Sequence, residues 1–274
     1  MLEPRPHQRT RVGRAFSLIE LLVAMGVVSI LSGILLPALT GVRESARRVV
    51  CARQLAGHMQ VMAVYAGDFD DFWPYAWRED RTAPDLPNIG KPPVGYSDWY
   101  GAVAGLWHLP VLDAYDENPF HESLFCPSDR DWKRRRDAVS ARLGVPPRRL
   151  RATLLYTMSM AMFLDPRALD PERPAYKPRY YIGQRQSDVV YPTMKAALFE
   201  GLPFHDPRYL GDGIVLFPNA VNVAASDGSV VYRSTVDMIP GIVFDELVLP
   251  GREELAREAD KLDFTPHGVR GRDW

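Results

Sequence analysis

The feature that most constrains this chain is a run of 22 uncharged residues from Leu21 to Val42. As an α-helix the run would be about 30 Å long, which matches the hydrocarbon thickness of a bilayer. Residues 1–15 carry four arginines and one glutamate, and Arg43 follows the run directly. The basic N-terminal flank favours a cytoplasmic N-terminus and a body on the other side of the membrane. The run therefore predicts a membrane-spanning helix.

Two other interpretations of the apolar run fit the sequence less well. A buried core helix does not ordinarily combine such a long uncharged run with a basic flank. A secretory signal peptide has a shorter apolar core and a small-residue cleavage site after it, whereas residues 37–41 read Pro-Ala-Leu-Thr-Gly. Glu20 stands at the start of the run, where a carboxylate is costly in lipid, so it is a candidate functional residue.

The helical pattern continues beyond Arg43 as a stripe of small and apolar residues spaced three and four apart, which predicts an amphipathic helix. The stripe consists of Val42, Ala46, Val49, Ala52, Ala56, Met59, Ala63 and Ala66. We therefore expect one helix over residues 16–66, with 16–42 in the membrane and 43–66 packed on a soluble body, residues 67–274. Proline within a membrane helix usually produces a kink, which we expect at Pro37.

The start of the run resembles the cleavage and methylation signal of type IV prepilins. A basic leader ends in the small residue Ala15, followed by Phe16 and, four residues later, Glu20. The family usually has glycine at the position of Ala15 and commonly has a proline where Pro37 stands. The resemblance implies that a prepilin peptidase/methyltransferase removes residues 1–15 and methylates the new amine of Phe16. It also implies that Glu20 contacts the terminal amine of a neighbouring subunit during assembly.

Whole-chain composition excludes several other classes of protein. The 274 residues contain 33 Lys and Arg against 34 Asp and Glu, so the net charge of −1 does not fit a basic nucleic-acid coat protein. The hydrophobic share of 46% argues against general disorder. The 24 prolines are far above the usual share of about 5%, which predicts a loop-rich body with short elements.

Two charged segments of the body allow more than one interpretation. Residues 68–71 hold three aspartates, which a calcium ion or a solvated turn would explain, although the Gly and Glu of an EF-hand loop are missing. Residues 130–151 carry a net charge of +7. This basic segment could form a solvated helix, contact an acidic subunit or contact DNA. Because no series of stacking aromatic residues accompanies it, nucleic acid is not an expected partner.

The chain has only two cysteines, Cys51 and Cys126, and they lack the spacing of a zinc site. They could form a disulfide if the body lies outside the cytoplasm, or remain two separate buried thiols. His58 is expected at a surface or interface, because no second histidine stands at ligand spacing. We therefore predict no metal site or cofactor, apart from the structural calcium ion that residues 68–71 leave open.

The C-terminal half of the body has the signals of short strands. They lie at residues 154–164, 196–199, 221–225 and 230–232. Asp227 and Gly228 predict a tight hairpin turn, which also resembles a C-terminal signature of large prepilin-like proteins. That signature often includes two histidines, and this chain has Phe217 and Ser229 in their places. The charged tail, residues 245–274, predicts a short helix followed by a disordered end.

These observations predict an α+β, pilin-like fold in which a long N-terminal helix packs on a small antiparallel sheet with loop-rich insertions. The expected function is that of a pseudopilin or minor pilin, anchored in the inner membrane and then assembled with other subunits into a periplasmic or extracellular filament. A DNA-uptake pilin and a membrane-anchored enzyme are the alternatives. We do not predict an enzyme, because the common catalytic motifs are missing. No spacing requires His205, Asp206, Asp212 and Asp227 to share a site.

Overall fold

The computed structural model describes residues 17–74, 107–118, 121–129, 133, 137, 156–172, 180, 182–201, 204–205, 220–240, 262 and 265–274. Over these ranges it contains the α-helix α1 (Leu18–Asp68) and the strands β1 (Tyr156–Met158), β2 (Ala196–Glu200), β3 (Ala220–Ala225) and β4 (Val230–Ser234). Short 3₁₀-helices connect them. The predicted α+β class and long N-terminal helix are confirmed. The chain divides into two compact units, one ending at Glu44 and the other beginning at Ser45.

The first unit contains the apolar part of α1, and no side chain from residue 17 to residue 43 is buried. By length and composition, α1 is able to cross a membrane. The helix continues through Pro37, and the Thr40 hydroxyl donates a hydrogen bond to the Pro37 carbonyl oxygen at 2.7 Å. A helix that is apolar on all sides is stable only when lipid or other protein covers it. The sequence expectation of a membrane-spanning segment therefore fits this unit.

The second unit buries one face of the remaining part of α1, and this face differs from the predicted one. The buried residues are Cys51, Leu55, His58, Met59, Met62 and Ala66. In contrast, Val49 is 55% exposed and Ala63 is exposed. The prediction that the small-residue stripe packs on the body is therefore wrong for most of its residues. The observed face carries the larger side chains. Burying Leu55 and Met62 removes more apolar area from water than burying alanines does.

The sheet has the order β1-β2-β3-β4, and each neighbouring pair is antiparallel. β2 is buried along its whole length. Asp227 and Gly228 lie in the turn between β3 and β4, where the Asp227 carboxylate accepts a hydrogen bond from the Ser229 amide at 2.9 Å. Gly228 has a φ of +86°, in the left-handed region that favours glycine.

β1 is shorter than the strand predicted at residues 154–164. It ends at Met158, and a 3₁₀-helix, Met160–Met162, follows directly. The Ser159 hydroxyl caps this turn by accepting a hydrogen bond from the Ala161 amide. A side chain that bonds to nearby backbone in this way competes with the strand ladder. The apolar residues Met160 and Met162 are nevertheless completely buried.

The last ten residues, 265–274, pack into the second unit, so the predicted disordered end is wrong over this range. The Asp273 carboxylate lies 3.3 Å from the Lys195 ammonium nitrogen, and both side chains are fully buried. It also accepts hydrogen bonds from the Ala196 amide, at 2.6 Å, and from the Thr265 hydroxyl. Because Ala196 is the first residue of β2, this carboxylate fixes the start of the most buried strand.

We predict that Asp273→Asn lowers the free energy of unfolding by about 3–5 kcal/mol, because it leaves the Lys195 charge buried without a counterion. Urea denaturation of the full-length chain in detergent micelles, followed by circular dichroism, measures the change. Asp113→Asn is the matched control, since Asp113 is exposed. Equal stability of the two variants would show that the buried pair does not stabilise the fold.

Candidate functional site

The N-terminal site predicted from sequence is described from Ser17 onward, so Ala15 and Phe16 lie outside the described residues. α1 begins at Leu18, and Glu20 lies in its first turn. The Glu20 carboxylate accepts a hydrogen bond from the Ser17 amide at 2.9 Å, and the Ser17 hydroxyl accepts one from the Ile19 amide at 3.3 Å. We call this reciprocal arrangement the capping box, although Ser17 binds the amide of the second helical residue and not that of the third. It satisfies two amides that the first helical turn leaves without partners.

The capping box has two consequences for Glu20. Its negative charge lies at the helix N-terminus, where the helix dipole is favourable to a carboxylate. The carboxylate also lies close in sequence to Phe16, the residue that the prepilin resemblance makes the mature N-terminus. Since a carboxylate accepts several hydrogen bonds, Glu20 can keep its bond to Ser17 and accept another from a second donor.

A second site lies in the core of the body and was not predicted from sequence. Four buried side chains, Cys51, Cys126, Glu200 and His205, each offer one metal-ligand atom, and these atoms all lie within 4.8 Å of one another. Cys51 belongs to α1 and Glu200 is the last residue of β2, whereas Cys126 and His205 lie in irregular segments. We call these four residues the buried cluster. Because its members come from four separate parts of the chain, no sequence motif reveals it.

Three groups surround the His205 ring. Its Nε2 atom lies 3.2 Å from the Cys126 sulfur and 3.1 Å from Glu200 Oε1. Its Nδ1 atom lies 3.3 Å from the Ser128 hydroxyl oxygen. Burial by itself lowers the pKa of His205, but the contacts with Cys126 and Glu200 outweigh it and raise the pKa to about 10.

Glu200 is oriented by the neighbouring strand β3. Asn222 donates its backbone amide to Glu200 Oε2 at 2.9 Å and its side-chain amide to Oε1 at 2.8 Å. The side chain of Glu200 is completely buried, so these bonds replace the water that a carboxylate would otherwise bind. The carboxylate is therefore held in one orientation, with Oε1 directed at His205.

The buried cluster contains a cysteine, a histidine and a carboxylate, which are also the components of a nucleophilic triad. In such a triad, the carboxylate binds the ring nitrogen that does not face the nucleophile. Here Cys126 and Glu200 both contact Nε2 of His205. Burial raises the pKa of the Cys126 thiol, and the residue is only 4% exposed. This geometry does not match a nucleophile activated for attack on a substrate.

Cys51 and Cys126 are both free thiols in this structure, so the disulfide that the sequence allows is not formed. Both residues are buried, which agrees with the alternative of two buried thiols in that respect. The two thiols are not separate, however, because they belong to a single cluster with Glu200 and His205.

The prediction that His58 lies at the surface is wrong, because the residue is only 2% exposed. Its Nδ1 atom lies 2.7 Å from the Tyr115 hydroxyl oxygen, and its Nε2 atom lies 2.9 Å from the Ser123 carbonyl oxygen. The ring also contacts the rings of Trp107 and Tyr156. Burial is the main cause that lowers the pKa of His58 to about 4. His58 is thus a neutral, hydrogen-bonded core residue.

The structure describes only some of the other candidate residues that the sequence predicts. The helix ends at Asp68, and the aspartates that follow form a turn in which Asp70 and Asp71 have φ values of 48° and 68°. The Asp71 carboxylate accepts a hydrogen bond from the Ser187 amide at 2.9 Å. Most of the basic segment 130–151, together with Asp206, Asp212 and Phe217, lies outside the described residues.

Comparison with known families gives a match at the N-terminal end of the chain. Residues 11–36 match the family model of the prokaryotic N-terminal methylation motif, which is the prepilin-type cleavage and methylation signature of type IV pilin-like proteins. The matched segment includes Ala15, Phe16 and Glu20. No curated protein and no solved structure matches the chain. The match and the long apolar helix together fit a membrane-anchored pilin-like protein.

The buried position of His58 predicts a pH dependence of stability. Its pKa of about 4 in the folded protein is below its ordinary value of 6.5, so the unfolded chain binds more protons over this window. Stability is therefore lost as the pH falls from about 6.5 to about 4, by about 3 kcal/mol from this group. Urea denaturation across this window should show a correspondingly smaller loss for His58→Gln.

The control for this prediction is His267→Asn, since the His267 side chain is exposed and its replacement removes no buried imidazole. Asparagine tolerates the left-handed backbone at this position, where φ is 65°. If the wild-type chain and His58→Gln lose the same free energy over this pH window, burial of a neutral His58 does not contribute to the acid sensitivity.

Proposed function

We propose that this chain is a structural subunit, a pseudopilin or minor pilin, of a type II secretion or type IV pilus-like filament. The observation that carries the proposal is the match of residues 11–36 to the N-terminal methylation motif. The structure adds that α1 begins at Leu18, two residues after the proposed cleavage site, with Glu20 in its first turn. The motif is associated with structural subunits, and nothing positive indicates catalytic activity.

In this proposal, processing occurs at the cytoplasmic side of the inner membrane. A prepilin peptidase cuts between Ala15 and Phe16, removes the basic leader and leaves Phe16 with a free amine, which is then methylated. Ala15 replaces the usual glycine but is small enough for the same position. Loss of the leader removes four arginines and one glutamate, so the mature N-terminus begins directly with the apolar helix.

The exposed apolar surface of α1 supports both a membrane-anchored state and a filament state. Leu22, Ile30 and Leu36 are each more than 60% exposed. Lipid covers these side chains before assembly, and the helices of neighbouring subunits cover them in the filament. The second unit, which begins at Ser45, then lies outside the cytoplasm, and the assembled filament is periplasmic or extracellular.

Glu20 supplies the register of assembly in this proposal. Its carboxylate binds the N-terminal amine of a neighbouring Phe16, and a subunit out of register leaves both charges unpaired in an apolar surrounding. Removing one partner of a buried ion pair costs about 3–5 kcal/mol, whereas the net gain from forming the pair is small. The pair therefore acts mainly by excluding wrong alignments.

The first test is the identity of the mature N-terminus. We expect mass spectrometry of the full chain from cells that contain a prepilin peptidase to find methylated Phe16 as the first residue. The matched control is the same chain from cells without the peptidase, which should retain residues 1–15. A retained leader in the presence of an active peptidase would contradict the proposal and favour an anchored protein of another kind.

The second test separates the charge of Glu20 from its capping role. Glu20→Gln keeps an acceptor for the Ser17 amide but removes the charge, and Glu20→Val removes both. We expect both variants to remain in the membrane and to lose incorporation into filaments by at least about a hundredfold, which corresponds to about 3 kcal/mol.

Incorporation is measured by cross-linking and recovery of sheared filaments, with Glu117→Gln in the exposed surface of the body as the control. If Glu20→Gln assembles like the wild-type chain and only Glu20→Val fails, then the capping bond matters and the charge does not. If both variants assemble normally, Glu20 has no role in register.

A further inference from the structure

We propose that the buried cluster binds one Zn²⁺ ion, with Cys51, Cys126, Glu200 and His205 as its four ligands. The proposal goes beyond the filament function and does not depend on it, because all four residues belong to the unit that begins at Ser45. It assigns the body a structural metal centre that the sequence spacing does not indicate.

The distances fit a tetrahedral site. Zinc binds cysteine sulfur at about 2.3 Å and histidine nitrogen or carboxylate oxygen at about 2.0–2.2 Å, which places neighbouring ligand atoms about 3.3–3.8 Å apart. In the buried cluster all ligand atoms lie within 4.8 Å of one another. Two of these separations are 3.2 Å, from His205 Nε2 to the Cys126 sulfur, and 3.1 Å, from Nε2 to Glu200 Oε1. The four side chains therefore need to move only slightly to surround an ion.

The direction of the side chains also fits a metal centre. The Cys126 sulfur and Glu200 Oε1 both lie next to Nε2 of His205, so the same ring nitrogen neighbours two other candidate ligand atoms. The opposite ring nitrogen, Nδ1, faces the Ser128 hydroxyl oxygen at 3.3 Å. A histidine that binds a metal through one nitrogen almost always bonds to a polar group through the other, and this fixes the ring. Ser128 occupies that outer position.

Glu200 has outer partners of the same kind. The backbone and side-chain amides of Asn222 bind its two carboxylate oxygens at 2.9 and 2.8 Å. Ligating carboxylates are typically held by such hydrogen bonds, which orient the oxygen that faces the metal. Each of these oxygens can accept more than one bond, so Oε1 can bind both Asn222 and the ion.

The chemistry of the donors selects the ion. Two thiolates and an imidazole favour zinc over calcium or magnesium, which prefer oxygen ligands. Four protein ligands in a buried position leave no open site for water, which is typical of a structural zinc ion and not of a catalytic one. The two thiols and the His205 ring release protons to solvent as the ion binds, because cysteine binds zinc as a thiolate and histidine binds it as a neutral imidazole.

The position of the site suggests what the ion stabilises. Cys51 is on α1 and Glu200 ends β2, while Cys126 and His205 lie in irregular segments of the part of the chain that the structure describes. One ion would join the helix, the sheet and two irregular segments at a single point.

The first experiment measures metal in the unaltered chain. The full-length protein is extracted into detergent and purified without chelator and without air, and zinc is determined by mass spectrometry. We expect about one zinc ion per chain, as for a structural four-ligand site. After removal of the metal, Co²⁺ should bind and give the visible absorption of a tetrahedral thiolate site. Because this readout uses no substitution, a variant that fails to fold does not affect it.

Substitutions then identify the ligands. His205→Gln and Glu200→Gln should lose the zinc and the thiolate–Co²⁺ absorption, whereas the matched controls His121→Gln and Glu117→Gln should keep both. Ser128→Ala should still bind zinc but with an affinity about 10–100-fold lower, as expected when an outer partner of a ligand is removed. This milder variant distinguishes a metal centre from a purely structural hydrogen-bond network.

Three results would overturn the proposal. The first is wild-type chain with two free thiols that binds neither zinc nor Co²⁺ after exposure to each. The second is an intact mass lower by two hydrogens under anaerobic purification, which would show a Cys51–Cys126 disulfide instead. The third is zinc that remains bound in His205→Gln and Glu200→Gln, which would place the ion elsewhere in the chain.

Discussion

The constraint on which the structure depends is that one helix, α1, must satisfy two different surroundings. Up to residue 43 its side chains are all exposed, and most are apolar, so they require lipid or other helices around them. From Ser45 onward one face of the helix joins the core of the body through Leu55 and Met62. The body can therefore be small and loop-rich, since the helix supplies one wall of its core.

Features with local causes could be predicted from the sequence. The helix was expected at residues 16–66 and is found at Leu18–Asp68, because an uncharged run and the following aspartates mark both ends. β2, β3 and β4 lie where apolar β-forming residues predicted strands. In each case the signal is contained in neighbouring residues.

Features that depend on distant residues could not be predicted. His58 is buried because Trp107, Tyr115 and Tyr156 surround it, and none of these lies near it in sequence. The partners of the buried cluster are similarly scattered. The buried face of α1 was missed for a different reason, because periodicity identifies a stripe but does not show which of two overlapping stripes fits the core. The charged residues at the end of the chain predict disorder because the local sequence does not show that Asp273 has a buried partner, Lys195.

The capping box at Ser17 and Glu20 has a consequence for a subunit that is anchored in the membrane before assembly. The Glu20 carboxylate already accepts one hydrogen bond from its own chain in a single subunit, and this bond holds it at the start of the helix. Glu20 can keep this bond while its carboxylate accepts the amine of a neighbouring subunit, so joining a filament adds a partner to Glu20 and does not break the helix cap. On the proposed function, the first turn of α1 would then keep the same conformation before and after assembly, and no rearrangement of this turn would be needed when a subunit joins.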